Sequence, residues 1–175
     1  LIPSTYAGFF QAASQAAGAL IGLLIVVVAL KPAQIIGARA DPVARRLAAS
    51  SFTGLVDAFF VSLLALIPGH NLGIGAAVVA VLSLYHTLRL HLGHRGEKNI
   101  VIFVASLLAY GLQLSFAVAL ALRPHDTGLV KYLSFALIVA FAVALSRAWQ
   151  LLQSVAAAEE DESHAAGTSG DGRQP

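Results

Sequence analysis

Residues 41–69 read DPVARRLAASSFTGLVDAFFVSLLALIPG, a capped apolar run with one carboxylate inside it. Asp41 is a good N-cap and Pro42 suits the first helical position, where its missing N–H costs nothing. Pro68-Gly69 ends the run. Between them lie roughly 20 mostly apolar residues, enough at ~1.5 Å per residue to cross a ~30 Å hydrocarbon layer. Asp57 falls near the middle, about 15 Å from either edge by the same rise. An ionisable group at that depth is by default a functional-site candidate and needs a partner.

The rest of the chain has the same character. Of its 175 residues 58% are hydrophobic and 11% charged, well below the quarter charged of ordinary soluble domains. Five apolar runs, at about 6–30, 47–67, 72–92, 99–122 and 130–152, are separated by Lys31-Pro32, Pro68-Gly69, Gly93 and Arg123-Pro124. Each reads as a helix, since open strand edges facing lipid leave backbone groups unsatisfied. The expected fold is an all-α membrane bundle over residues 1–154, with the first, second and fourth spans around a polar centre. The fifth, lacking a polar residue near mid-depth, is expected to face lipid or a neighbouring subunit. Residues 155–175 read as an acidic tail, mostly disordered for want of apolar surface.

Charge placement orients the bundle. Residues 1–158 carry a net +6 and the remainder −4. Lys31, Arg39, Arg45, Arg46, Arg89, Arg95, Lys98, Arg147 and Arg173 fall on one side of the predicted membrane, and only Arg123 and Lys131 on the other. The positive-inside rule then places the N-terminus outside and the C-terminus in the cytoplasm, with Tyr6 and Trp149 near the interfaces. The absence of a basic segment before the first run speaks against a cleavable signal peptide. Arg39, Arg45, Arg46, Arg89, Arg95 and Lys98 are expected to meet anionic lipid head groups. The positive charges lie in short loops rather than on one face, so nucleic acid is not an expected partner.

Polar residues inside the spans group by helical period. In the first span Gln11, Ser14, Gln15, Gly18 and Gly22 share a face, and Ser14, Gly18 and Gly22 form a small-residue packing seam. In the second, Arg46, Ser50, Thr53 and Asp57 share another. With these helices antiparallel, Gln15 and Asp57 reach the same depth. A polar line then runs from Gln11 and Gln15 through Asp57 to Thr53, Ser50 and Arg46. Ser106, Tyr110 and Gln113 follow at i, i+4 and i+7 on the fourth span, which makes Tyr110 and Gln113 further partners for Asp57. The structural alternative is a neutral, hydrogen-bonded Asp57 that fixes helix register and conducts nothing.

Other chemistry is poorly served. His86, His91, His94 and Glu97 do not converge at ligand spacing, and Arg89, Arg95 and Lys98 among them repel a cation. No metal, cofactor or catalytic motif is expected; a nucleophile elbow, a phosphate-binding glycine loop and a zinc motif are all missing. The absence of cysteine excludes disulfides. Three functions remain: a channel or carrier subunit passing protons or a small cation past Asp57, an accessory subunit binding another membrane protein, and an intramembrane enzyme. A homo-oligomer fits the first two.

The opening YAGFFQAASQAAGALIGLLIVVVAL (6–30) and the later SLLALIPG (62–69) resemble a group of small, uncharacterised bacterial multispan integral membrane proteins. Some members carry the label of membrane-protease modulators. The resemblance implies a bacterial inner-membrane location and carries over no catalytic residue.

Overall fold

The computed structural model describes residues 4–37, 41–92, 100–124 and 126–168. It contains α1 (Ser4–Leu30), α2 (Pro32–Ile35), α3 (Pro42–Leu66), α4 (Leu72–Leu92), α5 (Ile100–Leu122) and α6 (Thr127–Thr168). All but the short α2 are long and apolar enough to cross a membrane. The chain is an all-helical, multi-pass membrane protein.

Local chemistry sets the helix ends. The Asp41 carboxylate accepts from the Val43 N–H at 3.0 Å, satisfying a donor that the first turn leaves open, and Pro42 follows. At its other end α3 gives way at Ile67 to an extended residue, and Pro68 forbids continuation. Gly69 then takes φ +74, a left-handed conformation that strains any residue with a Cβ. Asn71 caps α4 by accepting from the Gly73 N–H at 3.1 Å, and Asp126 caps α6 by accepting from Gly128 at 3.0 Å. Helix α6 runs past residue 152, where the sequence places the end of the fifth span, and continues through Glu159–Glu162 to Thr168. Ala156–Ala158 and the glutamates that follow are good helix formers, so no local signal stops the helix there.

Helix packing corrects the expected arrangement. Helices α3, α4, α5 and α6 form a closed ring, each touching the next, with α6 returning to α3. The fifth span therefore completes the ring and does not stand apart from it. Helix α1 lies outside, packed against α3. Small residues bring the ring helices together, as expected where lipid supplies no hydrophobic drive between helices. A Cβ at Gly73 would fall 2.2 Å from the Ala121 nitrogen, so α4 and α5 meet almost backbone to backbone. A Cβ at Gly54 would lie 2.6 Å from the Ala144 Cβ, which sets the α3–α6 approach. One end of the ring is filled by Val61, Leu72, Ala76, Ala117, Leu133 and Leu137, all buried. At the opposite end Leu24, Ile35, Ala44 and Leu151 make a second apolar cluster that includes the short α2.

Candidate functional site

Between the two apolar clusters the ring encloses a polar column. Helices α3 and α5 run parallel on opposite sides, and their inward polar positions step at i, i+4 and i+7. Ser50, Gly54 and Asp57 on α3 answer Ser106, Tyr110 and Gln113 on α5, each pair differing by 56 positions. The interior is thus layered, with its first and third layers about 10 Å apart along the axis.

The third layer holds Asp57, 1% exposed. Its Oδ1 accepts from Ser83 Oγ of α4 at 2.8 Å and from Gln113 Nε2 of α5 at 3.2 Å. Its Oδ2 is buried and has no donor among the described residues, and the same holds for Gln113 Oε1. The carboxyl is therefore asymmetric, with one oxygen bonded twice and the other open to a proton.

The first layer is built on Arg147 of α6, 4% exposed. One terminal nitrogen of its guanidinium donates to Ser50 of α3 and the other to Ser106 of α5. A single side chain thus ties three helices together. Between the two layers lies Tyr110, buried, with its phenol oxygen over Gly54 and within electrostatic reach of both Asp57 and Arg147. At ~10 Å and an effective dielectric constant of about 20, opposite charges attract by only ~1.7 kcal/mol. Each charge costs at least ~2.5–3.5 kcal/mol at mid-membrane on insertion scales. Attraction between them does not offset that. Each group has to be hydrogen-bonded, wetted or neutralised where it stands.

The structure brings some of the expected site residues together and disperses others. Asp57, Gln113, Tyr110 and Ser50 line the column. Thr53 is half-buried and donates to the Ala49 carbonyl of its own helix, and Arg46 is half-buried at the end of α3. Gln11 and Gln15 are both exposed, on the side of α1 facing away from α3, and Asp57 takes its hydrogen bonds from α4 and α5 instead. The reason is that Phe10, Ser14, Ala17 and Leu24 are the face α1 buries, so its contact with α3 is largely apolar. Within the expected seam, Ser14 is buried and donates to the Gln11 carbonyl, and a Cβ at Gly18 would lie 3.5 Å from the Phe59 ring. A Cβ at Gly22 would meet nothing within 4 Å. Arg45 and Arg89 are exposed, as head-group contacts need to be, and Arg45 also donates to the Gly37 carbonyl at 3.2 Å. Arg39, Arg95, Lys98, His94 and Glu97 lie outside the described residues, as does the His91 side chain; His86 is exposed.

Sequence reasoning missed Ser83 and Arg147. Ser83 sits alone in an apolar helix and gives little to find. Arg147 did carry a signal. The apolar run continues beyond it through Leu151 and Leu152, so the arginine lies within the span and not after it.

No family model, curated protein or solved structure matches this chain, so the geometry of the column carries the functional reading.

Proposed function

We propose that this protein is a small channel or carrier subunit of a bacterial inner membrane that passes protons past Asp57. The observation that supports this reading is the buried carboxyl with Oδ1 doubly bonded and Oδ2 without a donor. Ionised, it leaves charge on an oxygen that no described group stabilises. Protonated, it places a neutral O–H there and keeps both existing bonds. Tyr110 supplies a hydroxyl that both accepts and donates, in the layer between Asp57 and the serines around Arg147. Arg147 also selects among the cations considered. A fixed guanidinium beyond Asp57 repels a metal ion on the same route, whereas a proton passes by exchange along hydroxyls and needs no space for an ion. The carboxyl is enclosed in this arrangement, so exchange requires a transient opening of the ring or entry of water. Arg45 and Arg89, on the side this reading takes as cytoplasmic, suit anionic head groups.

The test is proton flux in vesicles containing purified protein. Asp57→Asn keeps the size of the side chain and an oxygen to accept from Ser83, but cannot exchange a proton. It should assemble normally and reduce flux to the level of empty vesicles. Flux equal to that of the unaltered protein would reject the relay and leave Asp57 as a register-setting group.

A further inference from the structure

The outward face of α1 departs from every other lipid-facing surface of the molecule. Helix α4 presents Ile74, Val78, Val81 and Leu82 outward, α5 presents Leu107, Leu108 and Val118, and α6 presents Phe135, Ile138 and Trp149. Over Ser4–Gly22, α1 exposes no large apolar side chain; the first is Leu23. Its exposed positions are small or polar instead, and among them Gly8, Ala12, Gln15, Ala19 and Gly22, followed by Val26, recur at alternating steps of four and three. That is the heptad seam of a left-handed helix pair. The two glycines are not used within the chain, since a Cβ at Gly8 or Gly22 would meet nothing within 4 Å. Gln15 stands at the centre of the seam and Gln11 at its edge, both exposed on a helix that crosses the membrane.

An amide facing hydrocarbon without a partner is costly, and lipid chains offer none. We propose that two copies of this chain pair through this face, their α1 helices side by side and parallel, with the two Gln15 amides bonded across a two-fold axis. A second copy is the partner the chemistry selects. A glutamine amide carries both donors and an acceptor, so the same residue on an identical chain completes it. Copies inserted in the same orientation are related by a two-fold along the membrane normal, which brings each seam position opposite itself. The seam holds no charge that would require a complementary, different protein. Glycine and alanine on both sides of Gln15 let the backbones approach closely enough for the amides to meet. A polar residue at one seam position then fixes the register. This interface lies on the far side of α3 from the column and stands independently of what Asp57 does.

The chain has no cysteine, so single cysteines report directly. Ala12→Cys and Ala19→Cys on the seam, and Ala13→Cys and Ala17→Cys off it, would be oxidised in native membranes. A disulfide needs Cα atoms about 4.4–6.8 Å apart, so only the seam positions should give a product, at twice the 18.2 kDa chain mass. In phosphatidylethanolamine–phosphatidylglycerol vesicles, energy transfer between labelled copies should show Gln15→Leu weakening association about tenfold, the order expected for one or two interhelical amide bonds. Absence of product at both seam positions, equal product off the seam, or a product whose mass reveals a different polypeptide would each overturn the pairing. Unchanged energy transfer for Gln15→Leu would overturn the role of the amide.

Discussion

Arg147 reaches two helices at once because its guanidinium is a flat fork with donors pointing in different directions, which a lysine ammonium on a single stem does not reproduce. This geometry makes the residue testable apart from Asp57. Interhelical hydrogen bonds in membranes are worth ~0.6–1.7 kcal/mol each, so Arg147→Met, which loses the bonds to Ser50 and Ser106, should cost about 1–3 kcal/mol. Arg147→Lys keeps the charge but not the planar fork, and should fall between the two. Unfolding in mixed micelles by titration with a denaturing detergent measures both, and an Arg147→Met protein as stable as the parent would mean that the serine contacts do no more than offset the cost of burying the charge. Single residues were both the easiest and the hardest features to infer from the sequence. Asp57 is conspicuous because a carboxylate in an apolar run has no cheap explanation, and Gln113 follows from helical spacing on α5. Gln11 and Gln15 have equally good spacing but lie on the opposite side of α1 from the site. Periodicity shows which residues share a face, and in a membrane it does not say whether that face turns inward, because lipid and protein interior are equally apolar.

At the scale of the element, glycine does opposite things at positions that look alike in sequence. Gly73 lies where α4 meets the backbone of α5, so Gly73→Ala forces a Cβ to within 2.6 Å of the Ala121 Cα and closer still to its nitrogen. Backbone cannot swing aside as a flexible side chain does. The two helices must separate, at a cost of about 1–3 kcal/mol or more as for other overpacked interiors. Gly111 sits in the neighbouring helix where an added Cβ would meet nothing within 4 Å, and Gly111→Ala should be neutral or stabilising by up to ~1 kcal/mol through helix propensity alone. The same detergent titration separates them, and similar costs at both positions would show that α4 and α5 are not so tightly apposed. The number and approximate limits of the spans were legible because proline, glycine and charge interrupt the apolar runs. The pairing of the helices was not. Ring closure by α6 depends on Ala144 meeting Gly54, and on Arg147 finding serines 97 and 41 positions away. Alanines and serines of this kind occur on several faces of every span, so composition does not choose among them.

For the whole molecule, the alternation of α1, α3, α4, α5 and α6 places the ends of the spans in two sets. Lys31, Arg45, Arg46 and Arg89 gather at the end where α1 finishes, while Arg123 and Lys131 stand at the other. Lysine and arginine in short loops resist translocation, so the richer end should stay in the cytoplasm. Buried Arg147 lies one to two turns inside that end, so in this orientation the cytoplasmic half of the column would be its positively charged half. The orientation therefore also sets the direction in which a proton released from Asp57 would meet the guanidinium. Reporter fusions after Ile2, His70, Asp126 and Gly167 test it without reference to function. Ile2, His70 and Asp126 should report outside and Gly167 inside, since an odd number of spans puts the termini on opposite sides. A cytoplasmic signal at His70 would invert the assignment. It would turn Arg147 and its serines toward the outer face, and the exposed Arg45 and Arg89 could no longer be docking points for anionic lipid of the inner leaflet.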